Sequence, residues 1–234
     1  MARRRTPEAV LETGPAVSSS ADLNPILSLS FEQISAQVEN ASVCTICGDR
    51  PLLSVGEGTP RAKLMFVAED AFSGAPGDLL VKMIEAMGLK REEVFLARFT
   101  NCYPRAGSKP IESANSQSAN SEGSLQPPLF STCAELLDAQ IAAIRPEVIV
   151  ALGESAAEGL VGEKFSFSEK RGQFLKHRSL GVAVMPTFHP NHLLDYPAAK
   201  RDAWEDLKGV ARRLDLKLPT PATSPRKPTG RDSV

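Results

Sequence analysis

The run Val148-Ile149-Val150-Ala151-Leu152 limits the fold of this chain more than any other feature. It has no polar face to turn toward water, so a strand built from it must be covered on both sides. Before it, Cys133 to Ile144 places Leu136, Leu137, Ile141 and Ile144 at helical spacing and stops at Pro146, which disfavours helix in the residue ahead of it. After it, Gly153 turns the chain toward a second helical stretch through Ala156, Ala157 and Leu160. Helix, buried strand and helix joined by short turns make up the repeating unit of a parallel sheet flanked by helices.

The same alternation runs through the rest of the ordered sequence. Leu64-Met65-Phe66-Val67 and Val94-Phe95-Leu96-Ala97 have the character of short buried strands. Between them, Gly77 to Met87 carries Leu79, Leu80, Met83, Ile84 and Met87 at helical spacing and ends at Gly88, a suitable C-cap. Phe174-Leu175 and Val182 to Met185 suit a hairpin or strand pair returning to the sheet, and Ala199 to Leu214, with Trp204, Leu207 and Val210, a final helix. Gly56-Glu57-Gly58 is too short for a nucleotide-binding fingerprint and reads as a turn. The expected class is α/β, with a mostly parallel sheet covered on both faces.

With 234 residues, the chain has room for one well-buried domain and tails. Residues 1–22 read as a disordered leader and residues 217–234 as a disordered tail made basic by Arg226, Lys227 and Arg231. The domain between them, 23–216, carries a surface insertion over 106–128, rich in Ser, Asn, Gly and Pro. A net charge of -1 argues against a protein that coats nucleic acid indiscriminately, but allows local basic patches. One such patch groups Lys170, Arg171, Lys176, His177 and Arg178, and is equally explained as a solvated charged face. No run reaches membrane-spanning length, and Thr6 to Ser20 lacks the continuous apolar stretch of a secretory signal. The expected compartment is the cytoplasm, where cysteines stay reduced and serve metals or chemistry.

The four cysteines are Cys44, Cys47, Cys102 and Cys133. Cys44-Thr45-Ile46-Cys47 puts two thiolates on one tight turn, while Cys102 and Cys133 arrive singly from distant elements. Cys133 opens a helix, whose positive end favours the thiolate. Structural zinc usually takes two closely spaced pairs, so a four-iron–four-sulfur cluster is preferred over zinc. Scattered buried cysteines with a chance pair are the third reading.

From Cys44 to Leu214 the chain resembles the family 4 uracil-DNA glycosylases. The resemblance rests on CTIC with Arg50, VGEGTPRAKLMFVAE, GDLLVKMIEAMGLKREEVF, the single Cys102, CAELLDAQIAAIRPEVIVALGESAAEGLVG, Arg171-Gly172 and PTFHPNHLL. It implies a three-layer α/β/α fold around a short, mostly parallel sheet, a structural iron–sulfur cluster on the four cysteines, and a monomer that acts on DNA and not on membranes. Such enzymes cleave the N-glycosidic bond of a base flipped out of the duplex and leave negative charge on it. In that scheme His189 donates to the leaving base, Phe72 stacks on it, and Glu69 or Asp70 polarises water. Leu193, or Leu194 in its place, wedges into the DNA stack. Core packing is the alternative for Phe72 and Leu193, and a charged strand end for Glu69.

The chain departs from that family at two places. Ala68 replaces a glycine and an alanine-proline-glycine turn is missing, so Val67-Ala68-Glu69-Asp70-Ala71 leads almost directly to Phe72. Arg98 stands where the resemblance implies an asparagine that reads the uracil edge, with Asn101 three residues further on. An arginine has five donors and no acceptor, so it cannot reproduce the pairing of an amide with uracil. The expected function is excision of uracil or another altered base from DNA. The alternative is a catalytically degenerate iron–sulfur module on the same fold that binds nucleic acid or protein.

Overall fold

The computed structural model describes residues 25–40, 55–69, 72–99 and 133–219. Cys44, Cys47, Asp70, Asn101, Cys102, the 106–128 insertion and the ends of the chain lie outside the described residues.

The first helix, α1 (Phe31–Asn40), opens with a reciprocal cap. Ser30 Oγ accepts the Gln33 N–H at 3.2 Å, and Gln33 Oε1 accepts the Ser30 N–H at 2.8 Å. A short strand β1 (Glu57–Gly58) follows, then β2 (Leu64–Ala68), α2 (Gly74–Ala86) and β3 (Phe95–Arg98). Next come α3 (Cys133–Ile144), β4 (Val148–Leu152), α4 (Glu154–Val161) and α5 (Phe167–Lys170). The chain closes with β5 (Leu175–Lys176), β6 (Ala183–Thr187), α6 (Pro190–Asp195) and α7 (Lys200–Arg213). Leu216 and Leu218, beyond α7, pack partly buried against the core.

Among the described residues the strands form one sheet in the order β1-β3-β2-β4-β6-β5. Its four central strands are parallel, and the two-residue edge strands β1 and β5 run antiparallel to their neighbours. Glu57 and Gly58 are therefore not a simple turn, as their sequence suggests. The open edge of β3 offers backbone groups that an extended neighbour completes, and two residues suffice to blunt it.

Every residue of the four parallel strands is buried. Alternate side chains go to opposite faces, which divides the core into two. Leu64, Phe66, Leu96, Val150 and Met185 meet α2 and α7 on one side; Met65, Val67, Phe95, Ile149 and Val184 meet α3 and α4 on the other. The result is the three-layer α/β/α arrangement. A smaller cluster, Ile34 and Val38 with Leu136 and Ala139, seats α1 on α3.

The turn after β5 pins α3. Arg178 reaches Asp138 Oδ1 with its Nη2 at 2.5 Å and donates to the carbonyl of Gly159. His177 is buried, and its Nδ1 accepts the N–H groups of Ser179 and Leu180 at 3.3 and 3.2 Å. A neutral ring must then carry its proton on Nε2, which lies 3.3 Å from Asp138 Oδ1, within Coulombic reach but off hydrogen-bond alignment. The basic group seen in the sequence is thus partly tied up in structure: His177 and Arg178 serve this clamp and Arg171 pairs with Asp206, while Lys170 and Lys176 stay exposed.

Burial pushes the Asp138 carboxyl up, but His177 and Arg178 outweigh it and hold the group below its ordinary value. A depressed carboxylate contributes stability above its unfolded pKa and loses it as pH falls through the folded one. Asp138→Asn should melt below wild type at pH 7, and the gap should begin to narrow as the pH falls toward about 3.8 and close only below the depressed folded pKa. Thermal melts of both proteins from pH 7 to pH 2 would check this; a gap constant across that range would show that the clamp carries no charge-linked stability.

Candidate active site

The parallel register brings four strand ends to one level. Ala68 stands beside Arg98 on one side and Leu152 on the other, and Leu152 stands beside Thr187. Beyond the ladder the ends remain tied, by Phe99 N–H to Ala68 O at 2.7 Å and Gly153 N–H to Thr187 O at 2.9 Å. In open parallel sheets this carboxyl edge is where ligands bind. Three residues singled out in the sequence arrive there: Arg98 ends β3 at 7% exposure, Glu69 follows β2 and is exposed, and His189 follows β6.

His189 sits at the N-cap of α6 and not on an irregular loop. Its Nδ1 accepts the Asn191 N–H at 3.2 Å, its carbonyl accepts from Leu193 N–H, and Pro190 occupies the first helical turn. Serving as an acceptor at Nδ1 leaves the proton of a neutral ring on Nε2, which makes that nitrogen the donor. Gly153 lies under the ring with φ of +93°, and a Cβ there would come within 3.4 Å of His189 Cβ. Glycine supplies the backbone conformation; a Cβ would only meet the histidine in ordinary contact.

The residues on either side of His189 form a network that the sequence does not announce. Phe188 stacks on His192 with centroids 4.8 Å apart and planes 18° off parallel, and His192 meets Tyr196 at 4.7 Å. Phe167 meets Phe188 edge-on at 5.9 Å, and the Arg171 guanidinium lies 4.8 Å from the Phe188 ring centre. Arg171 Nη1 is 2.7 Å from both carboxylate oxygens of Asp206, and Thr187 Oγ1 donates to Asp206 Oδ2 at 2.7 Å. The spacing of Phe188, His192 and Tyr196, four residues apart, is the one local signal for this stack; Asp206 gives none.

Phe72, half-buried ahead of the α2 N-cap Ser73, packs against the core cluster that includes Leu80 and Ile84. Cys133 is the first residue of α3. Among the described residues no group of three His, Cys, Asp or Glu side chains is gathered for a metal ion.

The sequence model of the uracil DNA glycosylase superfamily matches residues 46–208. A type-4 uracil-DNA glycosylase of Sulfurisphaera tokodaii is 31% identical over 198 residues, covering 77% of this chain and 83% of that protein. The type-4 uracil-DNA glycosylase of Thermotoga maritima is 31% identical over 70% of this chain and 83% of its own length. That of Archaeoglobus fulgidus is 26% identical over 82% and 96%. The chain belongs to the uracil-DNA glycosylase superfamily.

In this superfamily member, Leu193 takes the core-packing place that was the alternative to a DNA wedge. It is 1% exposed and lines an apolar cleft of about 180 Å³ with Leu79, Met83, Trp204 and Leu207, whereas Leu194 is 39% exposed. The cause is the helix that His189 caps. Pro190 and Leu193 take its buried face, and Leu194, about 100° further round, faces water. Leu193→Ala should cost about 2–4 kcal/mol in urea unfolding, as truncated core leucines do. Leu194→Ala should change stability by less than about 0.5 kcal/mol. Equal costs at the two positions would show that the burial of α6 has been misassigned.

Proposed function

We propose that this chain is a DNA N-glycosylase of base-excision repair, hydrolysing the N-glycosidic bond of uracil or another altered base. The observation that carries the proposal is His189, its Nε2 left as the donating nitrogen just past β6 at the carboxyl edge, the same edge at which β3 ends in Arg98 and β2 runs into Glu69. The similarity to proteins named type-4 uracil-DNA glycosylases supports uracil as the first base to test.

On this reading the target base leaves the stack and enters the site, with Phe72 offering a ring face. The bond between C1′ and the base nitrogen breaks, and its electron pair departs with the base. His189 Nε2–H donates to the oxygen on which that negative charge collects. Water then adds to C1′ and passes a proton to the carboxylate of Glu69 or Asp70, which orients it, offsets the positive charge on the sugar and later returns the proton to the departed base anion or to solvent. Arg98 supplies donors to base oxygens or to a phosphate but no acceptor for an N–H of the base edge. Of the two leucines, Leu194 is the exposed one and is the candidate to touch DNA.

Cys44, Cys47, Cys102 and Cys133 form an all-thiolate donor set, and Cys133 lies at a helix N-terminus that favours the thiolate. The set fits a four-iron–four-sulfur cluster, with zinc as the other occupant it accepts. When bound, the cluster supplies a structural cross-link and takes no part in the hydrolysis. The protein acts on DNA as a cytoplasmic monomer; among the described residues no helix is long and apolar enough to cross a membrane. The buried Arg98 favours a second reading, a catalytically silent iron–sulfur module that retains DNA binding.

Single-turnover assays on uracil-containing single- and double-stranded oligonucleotides separate these readings. Slow excision is expected, lowered by about a hundredfold or more in His189→Ala, and raised when Arg98→Asn restores an acceptor. Excision that survives His189→Ala unchanged would remove the proposed role of the ring. Protein purified anaerobically should be brown and contain iron and sulfide, both lost together with thermal stability in Cys133→Ala. Stoichiometric zinc without iron would overturn the cluster.

A further inference from the structure

We infer that Asp206, on α7, is the positioning residue for His189, holding the backbone that leads into the ring and the aromatic side chain beside it. The inference rests on the glycosylase reading for what the ring does, and on the packing alone for what holds the ring.

Three residues run into His189, and all three are gripped from the same place. Pro186 O accepts the Gly172 N–H at 3.0 Å. Thr187, fully buried, donates its hydroxyl to Asp206 Oδ2. Phe188 lies under the Arg171 guanidinium, whose Nη1 is bound to both oxygens of Asp206. Gly172 has φ of +77°, and a Cβ there would stand 2.6 Å from Asp206 Oδ1, so the missing side chain is what lets the carboxylate in. Beyond His189, the Asn191 N–H fixes Nδ1. The orientation of the ring is thus set from both sides, and the upstream side converges on one carboxylate.

That carboxylate is a poor choice for stability alone. Asp206 is 5% exposed, and burial raises its pKa above the ordinary value although Thr187 and Arg171 pull the other way. A buried ion pair is often matched or bettered in stability by apolar side chains of similar size. What the pair offers instead is a fixed geometry, through one guanidinium nitrogen held to both carboxylate oxygens and a directional bond to Thr187.

The test uses the whole chain, purified anaerobically. Asp206→Asn keeps an oxygen for Thr187 and removes the negative charge that faces Arg171; Arg171→Lys keeps the positive charge and loses the flat guanidinium over Phe188, and serves if the first variant fails to fold. Nitrogen-15 spectra of the imidazoles report the His189 tautomer, with its signals among the three histidines assigned through His189→Ala. Wild type should show Nε2 protonated and Nδ1 bare, and the variants a mixture of tautomers. Unchanged His189 shifts in both variants would overturn the inference, whether or not the protein excises bases.

Single-turnover excision gives the second readout. Asp206→Asn should slow uracil release about tenfold or more, within the range for loss of an oriented donor. It should slow 5-fluorouracil less, because that base departs as a more stable anion, and add almost nothing in a His189→Ala background. Equal losses on both bases, additive with His189→Ala, would show a merely structural residue and overturn the inference. Wild type that excises neither base, with tautomers as expected, would sink the glycosylase reading while supporting the positioning of the ring.

Discussion

The constraint on which the rest of this protein depends is the common register of β3, β2, β4 and β6. Because Arg98, Ala68, Leu152 and Thr187 lie level, every turn that leaves the sheet starts from the same plane. The strands are buried on both faces and carry no side chain that could tolerate slippage: a one-residue shift would exchange the two halves of the core. The level of the strand ends is therefore held by the whole core, and groups on separate turns can be placed against one another without a rigid loop.

Two buried carboxylates work within this frame with opposite energetic signs. Asp138 is outbalanced by its partners, so its charge stabilises the fold at neutral pH and joins α3 to the turn after β5. Asp206 is outbalanced by its own burial, so holding it ionised costs stability even with Arg171 and Thr187 bound. The distinction agrees with their places. Asp138 braces the helix that opens with Cys133, at a remove from the strand ends. Asp206 sits beneath the segment that carries His189, where geometry has more value than an extra increment of stability in a folded domain.

Much of the fold can be read from the residues because the strongest signals were local. The bounds of α3 and β4 follow from apolar periodicity, a proline stop and an uninterrupted buried run. The helix α1 was not read from the sequence, although Ser30-Phe31-Glu32-Gln33 carries its cap, because that cap lies just past a leader without periodicity. The helix α6 was harder, since histidine is an uncommon N-cap and six residues show no period; Pro190 at its first position was the available sign. Without that helix the choice between Leu193 and Leu194 stays open; its register decides which of the two is buried. The long-range grip of Asp206 on Arg171 spans 35 residues and leaves no local pattern at all.

Arg98 bears on what kind of selectivity the proposed reaction can have. An edge of uracil presents acceptor, donor and acceptor in a row, and a guanidinium can answer only the acceptors. Sites that pair every group of a substrate gain discrimination of about 10⁴ or more, because a wrong substrate leaves buried polar groups unmatched. Stacking on a ring such as Phe72 is worth about 1–3 kcal/mol per base and is tolerant of which base it is. If selection passes from the edge to stacking and to the stability of the departing anion, the bases most readily excised are those that leave most easily. Base identity then matters less than leaving-group acidity, and the orientation of His189 becomes the main determinant of rate.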